Sequence, residues 1–243
     1  MTWARRRPLV MVVAALVATA LIAAILSRHE PAPPPVRPAA QRPTLLLLTS
    51  LPLLFNEEFS LSGGGSAAVK RLGMRYKLAP ISVADPTELG KARLLLMAQP
   101  LAQPAEDLVA LDDWVRHGGR VLLLADPMLE WPSKRPLGDL LRPPPMFMDT
   151  GLLAHWGLRL DAPDERGPAL RKLGGFDVLA DSPGSLSGSC SISADRFVAR
   201  CRIGRGEATI VADADLLDVD QLGAKAGHNL DGLVAELANL ERA

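Results

Sequence analysis

The stretch LLLMAQPLAQPAEDLVALDDWVRHGGRVLLLADP, residues 94–127, decides the fold. It opens inside the apolar run ARLLLMA (92–98), which is short and bounded by polar and turn-forming residues, as a strand buried on both faces requires. Pro100 and Pro104 then bracket a loop. Beyond it the period changes: Leu108, Leu111 and Val115 share one helical face with Trp114 beside them, while Asp107, Asp112, Asp113 and Arg116 fall elsewhere. Glu106 and Asp107 suit the positive end of that helix, Arg116 and His117 its negative end. Gly118-Gly119 stops the helix, and RVLLLAD begins a second strand at once. A strand, helix and strand so joined need a right-handed crossover, so the two strands run parallel. The second ends abruptly at Asp126-Pro127. That is the carboxyl edge, where open α/β sheets place ligands and nucleophiles.

Working outward, TLLLLTS (44–50) reads as another doubly buried strand. Ser66 caps a short helix, AAVKRLG, that stops at Gly73, and YKLAPISV (76–83) alternates like a strand whose Pro80 marks a sheet edge. Past Asp126-Pro127 the chain is irregular through LRPPPMFM (141–148). DTGLLAHWG (149–157) resembles a capped helix, LRLD a strand after it, and FDVLA (176–180) another strand. CSISADRFVARCRIGRGEATIVAD (190–213) carries the alternation and turn signals of antiparallel β structure. AGHNLDGLVAELANLERA closes as an amphipathic helix, with Leu230, Val234, Leu237 and Leu240 expected inward. The fold class is therefore α/β: a mostly parallel sheet with helices on both faces and an antiparallel hairpin.

The 243 residues suffice for one sizeable domain. Lys plus Arg and Asp plus Glu balance at 27 each, and aromatics make up 4%, so neither charge nor a stacking platform points to nucleic acid. The N-terminus sets the compartment. After a short tail (1–8) containing Arg5, Arg6 and Arg7, residues 9–26 (LVMVVAALVATALIAAIL) hold only one polar side chain, Thr19. As a helix this run would be about 27 Å long, close to the hydrocarbon thickness of a bilayer. The arginines are expected to stay cytoplasmic, leaving the bulk of the chain outside the cytoplasm of a bacterial inner membrane. A cleaved signal peptide is the alternative, although the apolar run is long for one and ILSRHEPAP offers no small-x-small cleavage site. Residues 27–43, with Pro31, Pro33, Pro34, Pro35, Pro38 and Pro43, read as a semi-rigid spacer before a domain at 44–243.

Three segments in order carry a family resemblance: the 94–127 stretch, then LLAHWGLRLD, then GEATIVADADLLD followed by HNLDGLVAELANL. Together they resemble the extracytoplasmic domain of GldG-type ABC-transporter auxiliary proteins, and membrane-anchored domains with a class I glutamine-amidotransferase-like fold. The resemblance implies a flavodoxin-like sheet and a membrane protein partner such as a transporter permease; the single tether at residues 9–26 departs from GldG-type proteins, which are expected to be longer and to carry a membrane segment near the C-terminus as well. The resemblance does not imply catalysis or a cofactor. Active amidotransferases carry a cysteine nucleophile on a tight strand-to-helix turn, and neither cysteine here follows a buried parallel strand in that way. If VLLLADP occupies the nucleophile strand, Asp126 and Pro127 stand at the elbow, and a proline there removes a backbone donor from any oxyanion hole.

Asp126, Asp213 and Asp215 form the candidate ligand site, since two predicted strands end at Asp126 and Asp213. Such carboxylates could hold Mg²⁺ or Ca²⁺. The commoner use of Asp after a strand is to accept hydrogen bonds from turn or helix N-terminal amides. His117, His155 and His228 lie on separate helices without paired spacing, so no zinc site is expected. A G-x-S-x-G elbow is absent. SLSGGGSAAVKR lacks the phosphate-loop lysine pattern, and the loop at 56–66 would serve at most as a lid. Cys190 and Cys201 fall in one hairpin on the expected oxidising side, where a cross-strand disulfide and two buried thiols are both open.

Overall fold

A computed structural model of the protein describes residues 31–55, 65–136 and 138–243. The expected span at 9–26, the tail at 1–8 and nearly all of the loop at 56–66 lie outside these. Among the described residues no helix is long and apolar enough to cross a membrane.

Four consecutive leucines, Leu45–Leu48, make up most of β1 (Thr44–Thr49), and all are buried. A strand with no polar face must lie between two layers, and β1 pairs in parallel on both sides. Its neighbours are β2 (Lys77–Ile81) and β3 (Leu94–Ala98). β3 pairs with β4 (Arg120–Leu124), and β4 with β11 (Gly206–Val211), again in parallel. The sheet order is β2-β1-β3-β4-β11-β10-β9, where β10 (Val198–Ile203) and β9 (Ser191–Ile192) are antiparallel additions. Pro80 sits on β2, an edge strand, where its missing N–H removes no ladder bond.

Helices α1 (Ala67–Gly73), α2 (Pro86–Leu89) and α3 (Ala105–Arg116) connect the first four strands. Ser66 Oγ accepts from the Val69 amide at 3.3 Å to cap α1, and Asp85 accepts from Glu88 N at 2.7 Å to cap α2. α1 packs on α6 (Asn229–Arg242) and α2 on α3, the two-sided covering that right-handed crossovers in opposite directions produce. Leu111 and Val115 of α3 are fully buried, as their spacing predicts. In α6 the inward set is wider than expected. Leu233, Val234, Leu237 and Leu240 are buried while Leu230 is only half-buried, because the helix is also covered along its Ala235–Glu236 side.

Two small antiparallel ribbons complete the fold: β5 (Leu158–Asp161) with β8 (Ser185–Gly188), and β6 (Pro168–Leu173) with β7 (Phe176–Asp181). The first is preceded by α4 (Leu152–His155), a single turn rather than the longer helix the sequence suggests. Asp149 Oδ1 accepts from the Gly151 and Leu153 amides at its start. A further short helix, α5 (Val219–Leu222), is capped by Asp218.

The compact unit begins earlier than residue 44, at Pro33, and runs to Ala243. Arg37 N donates to Met74 O at 3.0 Å, Arg75 Nη1 donates to Pro35 O at 3.0 Å, and Arg37 pairs with Glu241 at 2.8 Å. The second half of the proline-rich segment is thus domain, because backbone without internal partners finds them on the surface it crosses.

Candidate functional site

β3, β4 and β11 end side by side, so Gln99, Asp126 and Asp213 emerge from one edge of the sheet. Asp126 Oδ1 accepts from Met128 N at 2.8 Å, closing the turn that Pro127 begins. Its Oδ2 accepts from Ala214 N at 2.8 Å and Asp215 N at 3.4 Å. Asp213 accepts from Leu216 N at 2.8 Å and Asp181 N at 3.0 Å. Asp215 accepts from Glu130 N at 2.7 Å. The three carboxylates the sequence singles out are therefore together, buried, with one oxygen from each inside a 4.8 Å cluster. Each also ties loops: Asp126 joins the β4 and β11 ends, Asp213 reaches β7, and Asp215 returns to the segment after β4.

No cationic side chain bonds to any of the three among the described residues. Burial raises all of their pKa values, and their mutual repulsion adds to it. Asp126 is pushed up to about 6, chiefly by desolvation, against the lowering effect of the Ala214, Met128 and Asp215 amides. Asp215 is pushed up to about 8 by desolvation and then by the Asp126 charge. Asp213 is raised well above the ordinary carboxylate value by desolvation, then by Asp126 and Asp215. The cluster relieves its charge by holding protons, and a divalent cation is the other species that could do so.

Sequence reasoning missed Gln99, which is fully buried with φ +43°, an uncommon conformation for a side chain of its size. Its amide brackets Asp126: Oε1 accepts from Asp126 N at 3.0 Å, while Nε2 donates to Asp126 O and Pro144 O, both at 3.2 Å. Ser50 Oγ donates to Gln99 O, bringing the end of β1 into the same network. A glutamine before a proline in a loop carries no sequence signal of this role. Asn229 is equally buried and joins β7 to the turn after β11, through bonds with Leu179 N, Leu179 O and Leu216 O.

The three histidines among the described residues stay apart. His117 Nδ1 lies 2.7 Å from Asp113 O at the end of α3, His155 pairs with Asp112 at 3.2 Å, and His228 stacks near Phe176. Cys190 and Cys201 are joined by a disulfide with Cα atoms 4.8 Å apart. The pairing of Ser191 with Arg200 places them opposite each other across β9 and β10.

No family model matches this chain, and no curated protein matches it. Solved structures do. The mmIFT52 N-terminal domain aligns at 12% identity with a TM-score of 0.51, covering 80% of this chain and 97% of that one. Cytoplasmic protein STM3548 from Salmonella typhimurium aligns at 10% identity with a TM-score of 0.51, covering 82% and 98%. The exo-β-1,4-mannosidase Op5Man5 from Opitutaceae bacterium strain TAV5 aligns at 12% identity with a TM-score of 0.49, covering 82% of this chain and 36% of the enzyme. The chain spans about a third of the length of the glycosidases it matches. At these identities the likeness is one of fold: an α/β domain with a mostly parallel sheet and an antiparallel hairpin.

Proposed function

We propose that this chain is a non-catalytic accessory domain of the bacterial envelope, held at the inner membrane by residues 9–26 with its bulk outside the cytoplasm. In this reading it is related to GldG-type transporter auxiliaries and works by contact with a membrane protein such as an ABC permease. The order β2-β1-β3-β4-β11 supports a flavodoxin-like, amidotransferase-like assignment, since with β11 as fifth parallel strand it is the doubly wound order 2-1-3-4-5. If β4 is the nucleophile strand, Asp126, two residues beyond it, stands at the elbow, and both its oxygens accept from backbone amides.

The observation that carries the contact role is where apolar side chains are exposed. Phe55 follows β1, Leu101 follows β3, and Leu140, Leu141, Met146 and Met148 follow β4, all on loops at the carboxyl edge. The last loop folds back over that edge through Phe147 N to Asp126 O and Leu129 N to Pro145 O. Large apolar side chains left in water on several loops at one end of a sheet mark an interaction surface, and methionines adapt to a partner's shape. Site-specific photo-crosslinking in intact cells tests this. A crosslinker at Leu140 or Met146 is expected to give a discrete adduct with a membrane protein, and one at Leu170, exposed on the β6–β7 ribbon, to give none. Equal labelling at all three positions, or none anywhere, counts against the proposal.

The clustering of three buried carboxylates within 4.8 Å favours one second reading, a ligand-binding domain for a divalent cation. It requires Ca²⁺ or Mg²⁺ to raise the melting temperature and Asp213→Asn to abolish that rise. A melting temperature indifferent to both ions removes it.

A further inference from the structure

We infer that the opposite, amino edge of the sheet is a binding surface for anionic lipid headgroups. The chain is neutral overall, yet its charges are sorted by the fold. Lys77, Arg93 and Arg120 stand at or just before the starts of β2, β3 and β4, and Arg202 and Arg205 flank the β10–β11 turn beside the start of β11. Lys77, Arg93, Arg202 and Arg205 are exposed, and their side chains make no hydrogen bond or ion pair among the described residues. The carboxylates on this edge are mostly engaged. Glu241 holds Arg37 at 2.8 Å and Arg75 at 3.5 Å, Asp112 holds Arg116 at 2.6 Å, and Glu88 holds Lys91 at 2.5 Å. Glu207, in register with both Arg120 and Arg202, and Asp113 are the opposing charges that remain. Between the strand starts lies a cavity of about 390 Å³ lined by Lys91, Arg93, Arg120 and Glu241. It is wide enough for a phosphate group; Lys91 is paired with Glu88 at 2.5 Å and Arg120 donates to Leu240 O at 2.8 Å, which leaves Arg93 as its uncommitted cation.

The edge is also where the chain enters the domain, through Arg37 N to Met74 O. Residues 27–32 then separate the domain from the apolar run, and six residues span no more than about 20 Å. The anionic surface this edge can reach is a bilayer's own. The inference rests on the anchored reading only for that choice of source. Anionic headgroups attract clustered Lys and Arg, by about fivefold in partitioning per cation, and the attraction fades within about 8 Å at physiological salt.

The test uses the full chain in nanodiscs of phosphatidylcholine alone or mixed with phosphatidylglycerol, read by hydrogen exchange at residues 91–93 and 202–205. Protection is expected only with phosphatidylglycerol, and is expected to vanish in high salt and in the Arg93→Glu/Arg205→Glu variant. Neither residue has a side-chain partner to lose, so that variant should melt like the parent. On vesicles its partitioning should weaken by at least about 25-fold. Equal protection in both lipids, survival of protection in the variant, protection by inorganic phosphate alone, or retention on RNA in place of the vesicles would each overturn the inference. A chain that joins neither nanodisc refutes the anchor. The edge is then judged by flotation, where rising with phosphatidylglycerol vesicles and not with phosphatidylcholine supports it and rising with neither overturns it.

Discussion

Asp215 is 3% exposed, faces two other carboxylates, and has a pKa pushed up to about 8. The native chain therefore keeps a proton that the unfolded chain releases near the ordinary value of 3.8. A pKa raised by folding contributes stability that is complete below the unfolded value and lost as pH rises through the folded one. Asp126 loses its share through about pH 6 and Asp215 through about pH 8. The free energy of unfolding should accordingly fall from about pH 4 to about pH 8, by up to about 1.4 kcal/mol per pH unit for each proton, and the melting temperature with it. Asp215→Asn keeps the shape and the acceptor for Glu130 N but cannot ionise, so melts across this range should show a flatter fall. An unchanged slope would mean that the cluster is not a proton reservoir. Glu236 solves the same problem differently. It is fully buried and takes a bidentate grip from Arg200, at 2.7 Å on each oxygen. Arg200→Ala strands that carboxylate, and the expected loss is about 3 kcal/mol by chemical denaturation, with most of it recovered in Arg200→Met/Glu236→Leu. Little in the sequence separates the two cases. Asp126 and Asp213 are legible because each ends an apolar run, whereas Glu236 looks like a solvent-facing helix residue until β10 is laid across it.

At the scale of elements, α6 is held by a close approach that its own sequence disfavours. A Cβ on Gly232 would lie 2.8 Å from Val178 Cγ1 and 2.9 Å from Leu173 O, so the glycine is what lets the β6–β7 ribbon sit against the helix. Gly174, at φ +58° in the turn of that ribbon, meets the helix from the other side, 2.4 Å from Gly232 O to its would-be Cβ. Helix propensity alone says that Gly232→Ala stabilises by about 1 kcal/mol. The packing says the reverse, since backbone and a β-branched side chain must both move, and the expected outcome is a lower melting temperature. A higher one would show that ribbon and helix are loosely joined. The same ribbon explains what the sequence hides. The buried strands β1, β3 and β4 have apolar centres and the helix between β3 and β4 has a clean period, so one reading assigns them. β6 opens with Pro168 and carries Arg171 and Lys172, and only the Gly174-Gly175 pair, with both φ positive, marks it as half of a hairpin. β8 is four residues long, three small ones around Leu186, too short to show a period. In α6 the expected face missed Leu233 because a helix covered on more than one side has no single apolar stripe.

For the whole molecule, the fold converts a neutral sequence into two unlike ends. The carboxyl edge collects buried carboxylates and exposed apolar loops, and the amino edge collects arginines and lysines. No count of charges along the chain reveals this, because the sorting follows from which ends of parallel strands meet. The proline-rich segment shows how far composition misleads in the other direction. Pro31–Pro43 reads as a spacer throughout, since polyproline geometry needs no partners. Yet Arg37 and Arg75 lie 6.0 and 5.9 Å from the centre of the buried Tyr76 ring, and Glu241 closes the group from α6. Trimming the chain to begin at Thr44 removes the Arg37–Glu241 pair, the Pro35 carbonyl that receives Arg75 and one of the two cations beside the ring. Compared with a chain beginning at Pro33, it should lose about 2 kcal/mol in denaturant titration, one charged hydrogen bond and one cation–π contact being the main terms. Neither chain contains residues 9–26, so anchoring does not enter the comparison. Equal midpoints would make residues 33–43 a spacer that merely touches the domain. A loss of the expected size makes them its first structural element.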